Sequence, residues 1–395
     1  MARILLVNKF YYFRGGDCTA VLTTEELLKK HGHEVAVFGM RYAENLPTAW
    51  EEYFPEEVSF SQAGLTQKVK AFKRVFSDTE VVKKFNRLLS DFQPDIVHLH
   101  NIHSYLSPVI AQTAHRRGIR VVWTMHDYKL ICPTYLCLRD NKPCELCFKN
   151  KAHVFRVRCM KNSRAASLLA WMEAVYWNRT KLERITDRFI SPSSFLKEKM
   201  VAAGYQDKQI EVLHNFMYKQ VPSCYRKGGY YCYAGRLSTE KGVSTLLEAA
   251  KDLPYPLKVI GGGPLLEDFR KTYPSDHIEF LGYLPQEKLL PIIQQARFSV
   301  IPSLCYENNP YGAIESLCLG TPVLGATIGG IPELIKVGIN GDLFPPGGIK
   351  ELRAKILDCF EHFTEDYPFE KIAIDAQNKF SSETFYVKLM KIYGY

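Results

Sequence analysis

At 395 residues, with 46% hydrophobic and 24% charged positions, the chain is too long for one ordinary domain and has the balance of a globular protein with two cores. It has no low-complexity run, no internal repeat and no stretch of about 18 apolar residues, which excludes disordered, fibrous and membrane-spanning classes. The net charge of +9 is one-sided: residues 1–200 carry 31 Lys+Arg against 20 Asp+Glu, residues 201–395 carry 20 against 22, and this points to an anionic partner such as nucleic acid, a membrane surface or a phosphorylated substrate.

The apolar part of Met1–Asn8 is too short for a signal peptide and reads as a buried strand over Ile4–Val7, so a cytoplasmic protein with reduced thiols is expected. Gly15-Gly16 follows, then a helical pattern over Val21–Lys30. Glycines at such a turn let backbone amides approach an anion, and the helix N-terminus adds a positive dipole; alone, the pair marks only a turn. A second strand is predicted over Val35–Phe38. Leu65–Phe76 reads as a basic amphipathic helix, with Leu65, Val69, Phe72 and Phe76 set against Lys68, Lys70, Lys73 and Arg74. Val81–Leu89 has helical periodicity, and Ile96–Leu99 is a strand at whose end His98, His100 and His103 cluster. Their spacing suits either the lining of an acceptor site or a metal site.

Val121–Trp123 is a strand followed by Thr124-Met-His126-Asp127. Beyond it Cys132, Cys137, Cys144, Cys147 and Cys159 crowd into one loop-like insertion, and Cys144-x-x-Cys147 has zinc-knuckle spacing. These five make a candidate structural zinc site, against which stands the reading of reduced, partly buried thiols. Lys149–Arg164 holds six Lys/Arg and no acid. With Leu65–Phe76 it could rest on anionic lipid at the inner face of a membrane, or be a solvated cationic face.

After a strand over Phe189–Ile190, a short extended segment at Glu211–Asn215 leads to a linker, Val221–Gly229. A second alternating series then begins, with strands Tyr231–Ala234, Leu257–Ile260, Ile278–Leu281, Phe298–Ile301 and Pro322–Gly325. Alternation of this kind means βαβ units and parallel sheets, two in tandem. Ligands of such sheets bind outside the carboxyl ends of the strands, so a cleft between two of them is the expected active site. A last helix, about Glu383–Tyr393, could cross back to the first domain.

The second domain opens with Tyr233-Ala-Gly-Arg-Leu-Ser-Thr-Glu-Lys-Gly242, placing Arg236 and Lys241 between a strand and a helix. Two cations there can clamp a diphosphate without a metal. Glu307 and Glu315 stand eight apart, about 12 Å if the interval were helical, which does not suit the close carboxylate pair of a retaining glycosidase. The spacing instead puts Glu307 in a loop, lets Pro310 open a helix and projects Glu315 from it.

Four features in order carry a resemblance: Gly15-Gly16 after the first strand; Gly235-Arg-Leu-x-x-Glu-Lys-Gly242; Glu307-x7-Glu315; and Gly320-Thr-Pro-Val, followed by Gly329-Gly-Ile-Pro-Glu333 and Asn340-Gly-Asp-Leu. Together they resemble the retaining group-1 (family 4) glycosyltransferases. The resemblance implies the GT-B fold, an α/β architecture of two Rossmann-like parallel-sheet domains facing across a cleft. It divides the chain into an acceptor-binding domain over 1–215, with a returning helix at 380–395, and a donor-binding domain over 216–379. Arg236 and Lys241 would hold the donor diphosphate, Glu315 the ribose hydroxyls, and Glu307 would lie by the donor sugar. Backbone amides of Asn309, Pro310–Tyr311 and Gly312, with Gly15 and Gly16, would contact sugar and phosphates, and Gly263 and Leu284 would lie by the base. His126 would stand near sugar and acceptor, with His100 and His103 on the acceptor side.

The implied partners are a nucleotide-diphosphate sugar, a glycan or lipid-linked acceptor and an anionic membrane surface, with no cofactor required for chemistry and no nucleic acid. Bacterial polysaccharide or glycoconjugate assembly is the implied setting. One rival is a nucleotide-sugar epimerase, which would act without an acceptor. A dehydrogenase is disfavoured because Gly261-Gly-Gly-Pro264 lacks the dinucleotide-binding glycine spacing. A nucleic-acid-binding protein, using the basic half, is the non-enzyme alternative.

Overall fold

The computed structural model describes residues 1–58, 65–219, 221–364 and 367–395, with 65–68 as backbone only. The chain divides into two units, one formed by Met1–Cys137, Cys144–Leu213 and Tyr386–Tyr395, the other by Leu138–Pro143 and His214–Phe385.

The first unit is built on strands β1 (Arg3–Val7), β2 (Glu34–Phe38), β3 (Ile96–Leu99) and β4 (Arg120–Thr124). After a small hairpin of β5 (Leu138–Arg139) and β6 (Lys142–Pro143), which is grouped with the second unit, come β7 (Arg188–Ser191) and β8 (Ile210–Val212). The six-stranded sheet runs β2-β1-β3-β4-β7-β8, every pairing parallel. A parallel strand covered on both faces must be apolar on both, which is why Ile4-Leu5-Leu6-Val7 is an unbroken run with every side chain buried. The second unit carries β9 (Tyr231–Ala234), β10 (Leu257–Ile260), β11 (Ile278–Gly282), β12 (Ser299–Ile301), β13 (Val323–Ala326) and β14 (Gly341–Phe344). They form another all-parallel sheet in the order β11-β10-β9-β12-β13-β14. Both units are Rossmann-like, and the α/β class expected from the alternating pattern is the observed one. Strand order reverses between β1 and β3 in the first sheet and between β9 and β12 in the second, where open sheets take their ligands.

The helix Ser382–Tyr393 buries Leu389 and Tyr393, and from Tyr386 onward its residues belong to the first unit. There the Tyr393 hydroxyl lies 2.7 Å from His98 Nδ1.

Two expectations for the basic segments are corrected. In the helix Leu65–Phe76, Arg74 is no solvated cation: its side chain is buried and pairs with Asp78 at 3.2 Å and Glu80 at 3.1 Å. Lys70 also pairs with Glu80, and the side chains of Leu65 and Lys68 lie outside the described residues. Lys151, counted in the acid-free segment, turns inward onto the Ile131 carbonyl. Among the described residues no helix is long and apolar enough to cross a membrane.

Candidate active-site residues

In the second unit the loops after β9 and β12 flank the point where strand order reverses, and the Leu304 amide donates to the Glu240 carbonyl at 2.9 Å, tying them together. The β9 loop carries exposed Arg236, then a single 3-10 turn, Thr239–Lys241, before the helix Val243–Ala250. The β12 loop carries Ser303 and Glu307 and ends at Pro310, the cap of the helix Tyr311–Cys318. Lys241 Nζ stands 2.7 Å from Glu307 Oε1, and Ser303 Oγ donates to the same oxygen at 2.7 Å. The Lys241 side chain is 32% exposed and that of Glu307 12%. Burial alone would raise the Glu307 carboxyl, but the Lys241 charge and the two hydrogen bonds outweigh it and hold the group below its ordinary value. Burial would likewise lower the Lys241 ammonium, and the Glu307 charge reverses that, raising it. Both groups are therefore charged at neutral pH.

Glu315 projects from the helix Tyr311–Cys318 and is buried. Desolvation pushes its carboxyl up to about 7, partly opposed by Gln286 Nε2, which donates to Oε1 at 3.3 Å. Buried Asn309 accepts from the Asn215 amide at 2.7 Å through its side chain and from Asn215 Nδ2 at 2.8 Å through its carbonyl. Tyr311 and Gly312 open the helix half-buried, and Leu284, also half-buried, packs against the apolar cluster that includes Ile260 and Leu290. Gly263 has a steric reason: at φ +155° a Cβ would sit 2.3 Å from the Leu237 carbonyl oxygen in the β9 loop. Gly329 is comparable, since a Cβ there would lie 2.4 Å from the Glu307 carbonyl oxygen, to which the Gly330 amide donates at 2.7 Å. The geometry thus joins Lys241 with Glu307, keeps Arg236 on the same loop, and seats Glu315 separately with Gln286.

In the first unit Gly15 and Gly16 are exposed at the start of the helix Gly16–Lys30, with Asp17 in its first turn. Asn101 Nδ2 donates to Asp17 Oδ2 at 2.7 Å, and the Asn101 amide to Asn8 Oδ1 at 3.0 Å, joining the loops after β1 and β3. His100 Nδ1 is 2.8 Å from His126 Nε2, with the rings stacked, so one imidazole donates and the other accepts. Burial pushes the His126 imidazole down to about 4, against the pull of the Asp17 carboxylate. Burial also raises the Asp17 carboxyl, but the His126 charge and the Asn101 amide leave it lowered. His103 is apart from this pair, stacked on Trp123 with centroids 5.2 Å apart.

Among the described residues no group of three or more His, Cys, Asp or Glu could hold a metal ion, which corrects both metal readings. His98 spends Nδ1 on Tyr393 and Nε2 on Thr124 Oγ1 at 2.7 Å, leaving no nitrogen for a ligand role with His100 and His103. All eleven cysteines are free thiols. Cys137 hydrogen-bonds Cys132, pulling the Cys132 thiol down to about 5, and Cys132 Sγ also contacts Thr134 Oγ1 at 3.2 Å. Cys147 is buried with Val154 and Ala170, Cys159 packs against that cluster, and Cys144 is half-buried. Cys132, Cys137, Cys144, Cys147 and Cys159 thus lie close enough to perturb one another, yet among the described residues they form no metal-holding group.

Sequence reasoning missed Asp17, Asn101, Ser303, Gln286 and Asn215. Asp17 directly follows Gly15-Gly16 and Ser303 lies four residues before Glu307, so adjacency to the motifs was their one local signal.

Comparison with known proteins agrees with this architecture. The model described as Glycosyltransferase Family 4 matches residues 15–218, just over half of the chain, and that described as Glycosyl transferases group 1 matches residues 200–366. An uncharacterized 42.6 kDa protein of the cps region of Klebsiella pneumoniae is 26% identical over 361 residues, spanning 85% of this chain and 87% of that protein. Sucrose-phosphate synthase of Thermosynechococcus elongatus superposes with a TM-score of 0.70 at 18% identity, over 100% of this chain and 98% of that one. HepE of Anabaena, solved with UDP and glucose, superposes with a TM-score of 0.66 at 18% identity, over 99% of each chain. The architecture is that of the GT-B glycosyltransferases.

Proposed function

We propose, for a chain that belongs to Glycosyltransferase Family 4, that it moves a sugar from a nucleoside-diphosphate sugar to an acceptor hydroxyl with retention of anomeric configuration, in assembly of a bacterial polysaccharide or glycoconjugate. The observation that carries this reading is the Lys241–Glu307 pair beside Arg236, on the loops where the second sheet reverses its strand order. A diphosphate at that edge would meet two cations. In the reaction, the bond from the anomeric carbon to the phosphate oxygen breaks and its electron pair leaves with the nucleoside diphosphate. The acceptor oxygen attacks from the same face and its proton passes to the departing phosphate oxygen. Arg236 and Lys241 would stabilise the charge that grows on the leaving group, and they are asked for several kcal/mol of the barrier, about 3–4 per charge-stabilising donor. Glu307 would lie by the donor sugar, the Asn309–Gly312 backbone by sugar and phosphate, Gly263 and Leu284 by the base, and Glu315 would accept from the ribose hydroxyls. In the first unit, the Gly15 and Gly16 amides are anion ligands, and His126, with His100 and His103, belongs to the acceptor side. The acceptor is a glycan or lipid-linked hydroxyl.

Thermal shift with a panel of nucleotide sugars tests the donor, starting from UDP-glucose, the ligand of HepE in one solved complex. Stabilisation by at least one is expected, and none across the panel counts against the reading. Anomeric coupling constants of the product decide retention; an inverted product overturns that part alone. Isomerised sugar formed from donor without acceptor would instead identify an epimerase.

A further inference from the structure

A second cleft lies at the opposite edge of the first sheet from the histidines. It is lined by the segment that enters β7 and by the single turn Asp207–Gln209 that enters β8, at the amino ends of those strands. His100 and His126 follow the carboxyl ends of β3 and β4, and the chain from Val121 to His126 spans on the order of 15 Å. A molecule held in this cleft is therefore out of reach of the transfer chemistry. Its volume is about 540 Å³, within the range of roughly 300–1,000 Å³ usual for small-molecule sites.

The lining is charged and uneven. Arg184, Arg188 and Lys208 stand against Glu183 and Asp187. Both acids are already engaged: Glu183 Oε1 accepts from the Gln206 amide at 2.8 Å, and Asp187 Oδ2 from the Val121 amide at 2.7 Å. Glu183 also pairs with Arg179 at 3.7 Å. Arg188 gives one nitrogen to the Asp187 carbonyl at 3.0 Å, and Arg184 and Lys208 are exposed. The rim of the cleft is thus cationic.

Its deeper side has the opposite need. Gln209 Nε2 donates to the carbonyls of Glu183 and Thr186, both at 2.9 Å, which fixes the side-chain amide, since turning it over would set oxygen against oxygen. Gln209 Oε1 is buried with no hydrogen-bond partner among the described residues. The same holds for Oγ1 of Thr186, a residue only 2% exposed. Proteins rarely leave such groups unmet. An anion alone suits the rim and leaves the Gln209 acceptor wanting, and a neutral sugar does the reverse. A sugar phosphate brings both, oxygens for the cations and hydroxyls for Gln209 and Thr186. We infer that this cleft is a binding site for a hexose phosphate, separate from the transfer site. The inference does not rest on the donor chemistry, and its test reads binding and not transfer.

Calorimetric titration of the intact chain uses glucose 1-phosphate, glucose 6-phosphate and mannose 6-phosphate, with inorganic phosphate and glucose as controls. At least one ester is expected to bind about tenfold more tightly than inorganic phosphate, with glucose weaker still and affinity falling as salt is added. Arg184→Glu with Lys208→Glu, both at exposed positions, should lose about tenfold or more. Thr186→Val should lose about threefold at unchanged Tm, because a hydroxyl without a partner gives the fold nothing that valine lacks. Lys241→Ala, in the second unit, should bind the ester as the wild type does, and the ester should slow hydrogen exchange at 183–188 and 206–209. No binding by any of the three esters, equal binding of ester and inorganic phosphate, or wild-type binding by the double variant would each overturn the proposal. So would loss of binding in Lys241→Ala, which would put the ester in the donor site instead.

Discussion

Lys241 Nζ and Glu307 Oε1 stand 2.7 Å apart, joining the two loops that flank the strand-order reversal of the second sheet. A diphosphate entering there would compete with the Glu307 carboxylate for the ammonium. Its charge rises as the glycosidic bond breaks, so the ammonium should bind the transition state better than the ground state. Lys241→Ala is expected to lower kcat by roughly 10²–10³ at saturating donor, with Lys241→Arg less impaired. Melting curves on the same samples separate this from lost folding, because removing one member of a half-buried pair also destabilises. Wild-type turnover by folded Lys241→Ala would sink the assignment.

Glu315 offers a pH signature. Its carboxyl is raised to about 7 in the free protein, while a carboxylate accepting from ribose hydroxyls is ionised. Donor Kd should therefore fall as pH rises from 5 to 7, by up to about tenfold per unit, and flatten above. Calorimetric titration over pH 5–9 checks this; a flat profile contradicts it. Glu315→Ala should mainly raise donor KM and abolish the inflection. The same shift bears on stability. A carboxyl raised in the folded state contributes fully below its unfolded value and loses that contribution as pH rises through about 7. Glu315→Gln should accordingly raise Tm more at pH 8 than at pH 4.

The buried imidazoles give the opposite slope. Burial holds His126 at about 4 and His98 at about 3, with His100 and His103 also well below the ordinary value. Groups depressed in the folded state stabilise above the unfolded value near 6.5 and lose that as pH falls towards the folded one. For His98 and His126 the cost should be on the order of 1.4 kcal/mol per pH unit over that window. A Tm that declines steadily from pH 6.5 to pH 4 is expected. By NMR, no His98 or His126 ring proton should titrate between pH 5 and 8, and a midpoint near 6.5 for either would refute the burial argument.

With no metal-holding group among the described residues, the fold is expected not to depend on zinc. Purified protein should carry far less than one zinc per chain, and a strong chelator should leave Tm unchanged. Transfer activity should also survive chelation if Arg236 and Lys241 neutralise the diphosphate. Stoichiometric zinc lost together with stability would restore the knuckle reading of Cys132 to Cys159.

Legibility followed burial. Strands covered on both faces, such as Ile4–Val7 and Tyr231–Ala234, were readable because nothing but an apolar run fits there. The edge strand β14 was not, since it opens with Gly341 and carries Asp342, whose carboxylate binds Lys355 at 2.6 Å. β8 was seen only as an extended segment, because an edge strand buries less and its three residues include a glutamate. In the site, the motif residues were visible and their partners were not. Ser303, Gln286 and Asp17 are common polar residues whose meaning comes from what the fold brings beside them. The helix Leu65–Phe76 reads the same way: its periodicity was plain, but which face turned inward depended on acids at 78 and 80 that reach Arg74.

The contact between Tyr393 and His98 bears on how the molecule is made. Arg120 donates to the Ile392 carbonyl at 3.0 Å beside it, so the first unit is finished by residues that leave the ribosome after the whole second unit. Until then the nascent first sheet has no partner for His98 Nδ1 from that helix. Cutting the chain near Leu213 and expressing the halves separately would strand that closing segment on the wrong fragment. Co-expression of a fragment ending at Leu213 with a peptide of Tyr386–Tyr395 is the more natural split.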